Sequence, residues 1–373
     1  MFKMIKVGII GCGFISDIYL ENSKRFNKLY EIVACSDLNL ELAKQKADKF
    51  SIPHAYTTND LLADPAIDLV INLTIPSVHA EVAIAALRSG KHVYSEKPIA
   101  INREEGEMVL KVAKEKGLLV GNAPDTLLGG GLQTSRKLID DGWIGKPVSA
   151  TAFMMNHGHE SWHPSPEFYY KKGGGPLFDM GPYYLTALIF LMGPITRVTG
   201  SANITFPERM IISEPKYGEK IHVETPTQIN GVLDFESGAV GSIITSFDTW
   251  HHHLPRIEIH GTEGSLSVPD PNTFGGPVYV RRHDHLDWME IPLSHGFTDN
   301  SRGIGLADMA NAILTGSTPR ANGELAQHVL DIMQGILDAS EIGQHVEIKS
   351  RCSQPKPLHI GINEDNFNEL IKL

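Results

Sequence analysis

Residues 173–185 read GGGPLFDMGPYYL and set Asp179 and Tyr183 four residues apart beside a glycine run. If the segment is helical, positions i and i+4 share a face, so a carboxylate and a phenol point the same way and can handle a proton together. The structural explanation is capping. An acid near a helix start satisfies orphan amides and favours the dipole, and Pro182 is tolerated in a first turn. Tyr183 with Tyr184, Leu185 and Leu188 then reads as core. A second cluster, Glu96-Lys97-Pro98, follows the short strand-like HVYS (92–95) and supplies an ammonium; alone, it reads as a solvated pair at a proline turn.

A third cluster is the glycine loop Gly11-Cys12-Gly13-Phe14-Ile15-Ser16, between strand-like KVGII (6–10) and a helical stretch over 14–26. Gly11 fits the tight turn and Gly13 the close approach of a pyrophosphate to the helix N-terminus. Ser16 stands where a third small residue packs the helix on the strand. Asp37 closes the second strand, EIVACS (31–36), 24 residues beyond Gly13, where a carboxylate accepts adenosine ribose hydroxyls. Leu38 and Asn39 follow, with no arginine for a 2′-phosphate, so NAD is expected in preference to NADP.

The loop NHGHESWHPSPEFYYKK (156–172) is dense in histidine and aromatics. It reads either as a polar surface loop or as a sugar-binding one. In the second case Trp162 or Tyr169 stacks on a pyranose face and His157, His159 and His163 bond its hydroxyls. Their spacing matches no standard zinc motif, so no metal is expected. His251-His252-His253 follows a strand; His251 and His253 share one face of an extended segment, which places His253 either at the pocket or on an exposed edge.

These residues need a scaffold. The first ~120 residues alternate apolar strands (6–10, 31–36, 68–73, 92–95, 118–122) with amphipathic helices (38–50, 77–90, 103–117), the grammar of a parallel sheet covered on both faces. After about residue 145 short strands alternate with turns (149–155, 197–206, 227–235, 239–247, 256–261, 264–270, 277–282, 287–292), predicting a large, mainly antiparallel, open-faced sheet. Helices over 301–316 and 323–343 follow. The expected fold is an α/β Rossmann domain over 1–124, an α+β substrate and oligomerisation domain over 125–345, with helices 301–343 packing back on the first domain, and a tail over 346–373. The open sheet predicts a homodimer or homotetramer.

Thirty-three basic against 44 acidic residues leave a net charge of −11, which argues against a nucleic-acid or anionic-membrane surface. No run approaches the ~20 apolar residues of a membrane span. Three cysteines, Cys12, Cys35 and Cys352, without metal spacing fit a reduced, cytoplasmic setting.

Taken in order, the glycine loop, Thr74-Ile75-Pro76-Ser77-Val78-His79, Glu96-Lys97-Pro98, GGGPLFDMG and the GTEGSL turn (261–266) resemble the glucose-fructose oxidoreductase/inositol dehydrogenase/MocA family over residues 5–345. The resemblance implies that Phe14 and Ile15 with the loop glycines, and Thr74, Ile75, Pro76 and His79, line the cofactor path. It implies further that Glu96 contacts the nicotinamide ribose and that Lys97 lies between nicotinamide and substrate, with a cis Lys97–Pro98 bond. Asn122 is placed for the carboxamide. The chain departs from the family pattern at Ser77, at Ala123-Pro124-Asp125-Thr126, and at Tyr183, where histidine is usual.

Hydride transfer from a carbinol needs a base for the hydroxyl proton. A nicotinamide cation favours tyrosinate and disfavours ammonium, so Tyr183 is expected as proton acceptor, Lys97 as its electrostatic partner and Asp179 as orienter, with the roles of Tyr183 and Lys97 interchangeable at this level. The expected function is an NAD-dependent dehydrogenase or reductase acting on a sugar, sugar derivative or cyclitol. One rival is a glycoside-processing enzyme that uses transient oxidation; net hydrolysis without NADH accumulation identifies it. The other is a non-catalytic regulator, against which the retained Lys97, Asp179 and Tyr183 argue.

Overall fold

A computed structural model describes residues 4–371. The first half builds a parallel sheet from β1 (Ile5–Ile10), β2 (Tyr30–Ser36), β3 (His54–Tyr56), β4 (Leu69–Asn72), β5 (His92–Ser95) and β6 (Val120–Asn122), in the order β3-β2-β1-β4-β5-β6. The helices α1 (Ser16–Ser23), α2 (Leu40–Phe50), α3 (Thr58–Ala63), α4 (His79–Arg88) and α5 (Arg103–Lys116) make the crossovers. The order reverses between β1 and β4, and a crevice outside the strand ends forms at such a point. Local chemistry sets the helix starts. Asn39 caps α2 by accepting from Glu41 N–H, and Asn102 caps α5 by accepting from Glu105 N–H while its Nδ2 donates to Glu105 Oε1. The helical stretch expected over 14–26 divides into α1 and one 3-10 turn, Lys24–Phe26. The edge pair β3 and α3 went unread because neither spans enough residues to show a period.

The second half begins with α6 (Gly130–Asp140). β7 (Pro147–Met155), β8 (Ile195–Asn203), β11 (Gln228–Phe235), β12 (Val240–Ser246), β13 (Ile257–Gly261), β14 (Gly264–Val268), β15 (Val278–Arg282), β16 (Met289–Ile291) and β17 (Val346–Glu347) form a nine-stranded sheet; β9 (Glu208–Met210) and β10 (Lys220–His222) form a separate pair. Eight ladders join the nine strands; β7–β12 is parallel and the other seven antiparallel. One face is packed against α7 (Gly175–Met192) and α9 (Gly323–Ile342). On the other, the alternation of β11 and its neighbours leaves Val148, Val232 and Val240 exposed close together.

α7 departs from expectation at its start. It opens at Gly175 behind Gly174, without a side-chain cap, so Asp179 lies in the second turn and does not cap the helix, and Pro182 lies in the interior. Pro182 has no N–H for the Phe178 carbonyl, and the adjacent Asp179 carbonyl accepts from Lys97 Nζ at 2.6 Å.

α8 (Ile304–Thr315) and α9 return the chain toward the first sheet: Asn122 N–H donates to Ala321 O, and Arg103 of α5 ion-pairs with Asp331 and Asp338 of α9. Residues 346–371 do not trail as a tail. β17 pairs with β8, Leu358 N–H donates to Gln133 Oε1 of α6, and Phe367, in the short α10 (Phe367–Leu370), packs its ring on Phe26 and Phe297.

Candidate active site

The C-terminal ends of β1, β2, β4, β5 and β6 carry the glycine loop, Asp37, the Thr74 turn, Glu96-Lys97 and Asn122 into one crevice. Gly11 adopts φ +103°, and a Cβ there would sit 2.6 Å from Leu73 O, so the turn admits only glycine. Gly13 has open space where its Cβ would be, and α1 lacks a side-chain cap; its first two amides, Ser16 N–H and Asp17 N–H, turn back onto Gly13 O and Phe14 O and close the loop tightly against the helix start. Asp37 accepts from Cys12 N–H at 2.8 Å and Asn39 N–H at 2.9 Å, so its carboxylate is fixed at the end of β2 with lone pairs to spare for ribose hydroxyls. Phe14, Leu38 and Ile75 stand exposed around this cradle. Ile15 is half-buried in the turn and Pro76 opens a 3-10 turn. These residues fit a dinucleotide with an unphosphorylated ribose.

Two residues assigned to the cofactor path bond backbone carbonyls of the crevice wall. His79 is buried, with Nδ1 2.7 Å from Pro98 O and Nε2 2.9 Å from Thr74 O, so it ties the two turns together. Burial pushes its imidazole below the ordinary value, against the pull of both carbonyls. Asn122 gives both Nδ2 hydrogens to Ser95 O and Glu96 O, each at 3.0 Å, holding the strand end that leads to Lys97. Thr74 bonds Asn72, and Glu96 accepts from Tyr19 Oη at 2.8 Å and from Lys97 N–H at 3.0 Å.

Lys97, before a cis Lys97–Pro98 bond, reaches across to α7. Its Nζ is 3.0 Å from Asp179 Oδ1 and 5.1 Å from the centre of the Tyr183 ring. The other Asp179 oxygen, Oδ2, lies 3.2 Å from His159 Nε2. Burial works against both charges, and the pair overcomes it. Asp179 is held down to about 2 by Lys97 and His159, and Lys97 is carried above its ordinary value by Asp179, Tyr183 and Glu96. The downward pull expected on Lys97 from a nicotinamide cation therefore meets an opposing one already built into the protein. An ammonium has three donors; two are engaged by Asp179, which leaves one for the cavity.

That cavity, of about 350 Å³, is lined by Ile75, Lys97, Ile101, Phe168, Tyr169 and Asp179 among others. Phe168, Tyr169 and Phe178 give it aromatic lining; Tyr169 in turn lies 4.0 Å from His159 and 5.4 Å from His163, neither of which lines the cavity, and Trp162 lies 5.2 Å from His159. Burial, with Asp179 adding to it, raises the Tyr169 phenol to about 12, so it remains a neutral donor. His163 accepts from Ser165 N–H, and burial lowers its imidazole. The loop is anchored by a buried network: Arg209 of β9 ion-pairs with Glu160 at 2.7 Å and with Asp248, and Tyr170 donates to Glu160 at 2.6 Å. His157 stacks on Trp250 at 3.4 Å, outside the group around Asp179, and His253 is exposed in the irregular segment between β12 and β13.

Two residues enter in roles the sequence reading had not given them. His159, assigned to substrate hydroxyls, spends Nε2 on Asp179; the crowding of histidine and aromatics was the only signal. Arg302, from the loop before α8, sets Nη2 3.5 Å from Tyr183 Oη, and no sequence motif marks it.

The family model described as the oxidoreductase family, NAD-binding Rossmann fold, matches residues 5–123, and that of the GFO/IDH/MocA C-terminal domain matches 132–267. The chain is similar to the 1,5-anhydro-D-fructose reductase of Ensifer adhaerens, 26% identical over 93% of this chain and 99% of that protein. It is also similar to the myo-inositol 2-dehydrogenase of Thermotoga maritima, 24% identical over 70% of this chain and 74% of that protein. Among solved structures, a levoglucosan dehydrogenase in complex with NADH shares the fold at TM-score 0.82 and 22% identity, covering 94% of this chain and 100% of that one. Among the described residues no helix is long and apolar enough to cross a membrane. With both halves matched and the glycine cradle in place, the chain belongs to the Gfo/Idh/MocA family and is an oxidoreductase with an NAD-binding Rossmann domain.

Proposed function

We propose that this enzyme interconverts a carbinol and a ketone on the ring of a sugar, sugar derivative or cyclitol, with NAD in preference to NADP. The observation that carries this reading is the Lys97–Asp179–Tyr183 cluster at the mouth of the dinucleotide crevice, beside a cavity with an aromatic wall. Bound NAD supplies the acceptor for the carbinol hydride. Lys97 directs its remaining N–H at the substrate oxygen, Asp179 stays ionised and fixes that ammonium, and Tyr183 takes up the hydroxyl proton. Because Asp179 keeps Lys97 charged, the assignment of the base to Tyr183 is favoured over the exchange of roles. Tyr169, Trp162 and His163 offer ring faces and donors to a pyranose or cyclitol. Asp37 favours ribose hydroxyls and repels a 2′-phosphate. The sheet face with Val148, Val232 and Val240 receives a second copy; sedimentation checks that assembly.

A screen of sugars, inositols and their ketones with NAD(H) and NADP(H), read at 340 nm, tests the reading. Turnover with NAD and one polyol class is expected, and Tyr183→Phe should lower kcat by about 10²-fold or more without weakening NADH binding. A signal with NADP(H) alone sinks the Asp37 argument. Near-normal turnover of Tyr183→Phe at every pH removes Tyr183 as the base.

A further inference from the structure

Arg302 is a half-buried cation whose partners are all neutral. Nη1 donates to Asn300 Oδ1 at 3.0 Å, and Nη2 to Asn272 Oδ1 at 3.0 Å and to Tyr183 Oη at 3.5 Å. Among the described residues no carboxylate lies within 4 Å of its guanidinium. Withdrawing a charge from water with no counter-ion in contact is costly; Asp125 acts on it only from beyond ion-pair distance, which leaves the guanidinium head open to an anion that forms or arrives in use. Burial works against this guanidinium, and Tyr183 is the first group that offsets it, ahead of Asp125.

The chain fixes Arg302 from both sides. Asn22 of α1 donates from Nδ2 to Asn300 O at 2.8 Å and to Arg302 O at 2.9 Å. The next amides, Gly303 N–H and Gly305 N–H, both donate to Asp125 Oδ2, at 2.8 and 3.0 Å. A long cation is seldom held at this many points for solubility alone. Lys97, the other cation near Tyr183, faces the ring and has already given two donors to Asp179. That leaves Arg302 as the charge nearest the phenol oxygen.

We infer that Arg302 is the counter-charge of Tyr183, stabilising the phenolate that accepts the carbinol proton. The inference rests on Tyr183 being that acceptor. In the step the substrate O–H bond breaks and the Tyr183 Oη–H bond forms, while the C–H electron pair passes to the oxidised cofactor. Negative charge leaves Tyr183 as it becomes neutral, and Arg302 recovers the anion on the reverse step. Facing Tyr183 are Arg302, Lys97, Asp179 and Tyr169, with Glu96 behind Lys97; facing Arg302 are Asp125, Tyr19 and Tyr94. Changing Arg302 also removes a charge that favours the ionised form of Asp125, so the phenol is followed through the signal that Tyr183→Phe deletes.

The test compares Arg302→Gln, Arg302→Lys and Tyr183→Phe in the NAD-loaded enzyme, with a substrate from the screen. Arg302→Gln should move the acid limb of the kcat profile upward by about one pH unit or more and lower kcat at neutral pH at least tenfold. KM should change by less than about threefold, and Arg302→Lys should restore part of the loss. In the protein without cofactor, the tyrosinate absorbance near 295 nm that Tyr183→Phe deletes should develop at higher pH in Arg302→Gln than in wild type. An unmoved acid limb and an unmoved absorbance titration overturn the inference. So does a raised KM with kcat intact, which makes Arg302 a substrate ligand, or an activity loss that tracks only a lowered melting temperature and is not rescued by lysine. If Tyr183→Phe retains full turnover, the acceptor reading itself has failed; if it is inactive while the Arg302 profiles are unchanged, only the counter-charge has.

Discussion

Asp179→Asn keeps the shape of the side chain and removes its charge from the Lys97–His159 junction. In the folded protein the Asp179 carboxyl sits at about 2, against 3.8 for an ordinary aspartate. At about 1.4 kcal/mol per unit, the charged form contributes about 2 kcal/mol of stability. The sign follows from the depressed value: the contribution is complete above the ordinary value and is lost as pH falls through the folded one, so about half remains at pH 3. Breaking a deeply buried pair costs about 3–5 kcal/mol, but the Lys97 and Asp179 side chains keep 16% and 17% of their exposure, so the smaller figure governs. Thermal melts of both proteins from pH 7 to pH 3 should give a gap of about 3 °C at neutral pH that narrows steadily toward pH 3. Turnover should fall about 10²-fold or more with NADH affinity unchanged. A gap of constant size across that range would show that Asp179 stabilises by packing and not by charge, and would refute the electrostatic account.

Gly11→Ala and Gly13→Ala should separate strain from ligand contact. The first forces a side chain onto a positive φ and against Leu73 O, so it lowers the melting temperature without ligand as well as NADH affinity by fluorescence titration; the second meets open space and lowers only the affinity. Burial raises buried Asp125 to about 6 despite the Gly305 amide, Arg302 and the Gly303 amide, so its contribution to stability falls as pH rises from about 4 to about 6. Asp125→Asn should lack that slope, and the stability difference, measured by urea titration, should move about 2 kcal/mol in the variant's favour between pH 4 and pH 7. Trp162→Ala should raise KM several-fold through loss of an exposed stacking face, whereas His253→Ala should leave KM within about twofold.

The legible parts of this molecule were those whose physics is local. A buried strand, a glycine at a forced turn and an acid at the next strand end announce a nucleotide crevice within 40 residues, and period-2 alternation announces the large sheet. Hidden parts depend on distant partners. α6 has no counterpart in the sequence reading because Gly129, Gly130 and Gly131 suggest a break, yet a Cβ on any of the three would strike the backbone of residues 274–275 or 295–296, so the glycines serve close packing. The start of α7 was misplaced because Asp179 and Pro182 look like first-turn residues, while the residue ahead of the helix is Gly174, which has no side chain to signal it. His159 and Arg302 meet α7 from 20 and 119 positions away, and no spacing rule reaches that far.

The route of the chain after residue 345 has a mechanical meaning. The polypeptide leaves the nucleotide sheet at Asn122, traverses the large sheet, and comes home through α8, α9 and the Phe367 contact with Phe26, so the two halves are riveted at both ends of the circuit. A body fastened this way cannot gape like a clam shell on one flexible strap. The Lys97–Asp179 bond is a further stitch across the seam, placed at the site itself.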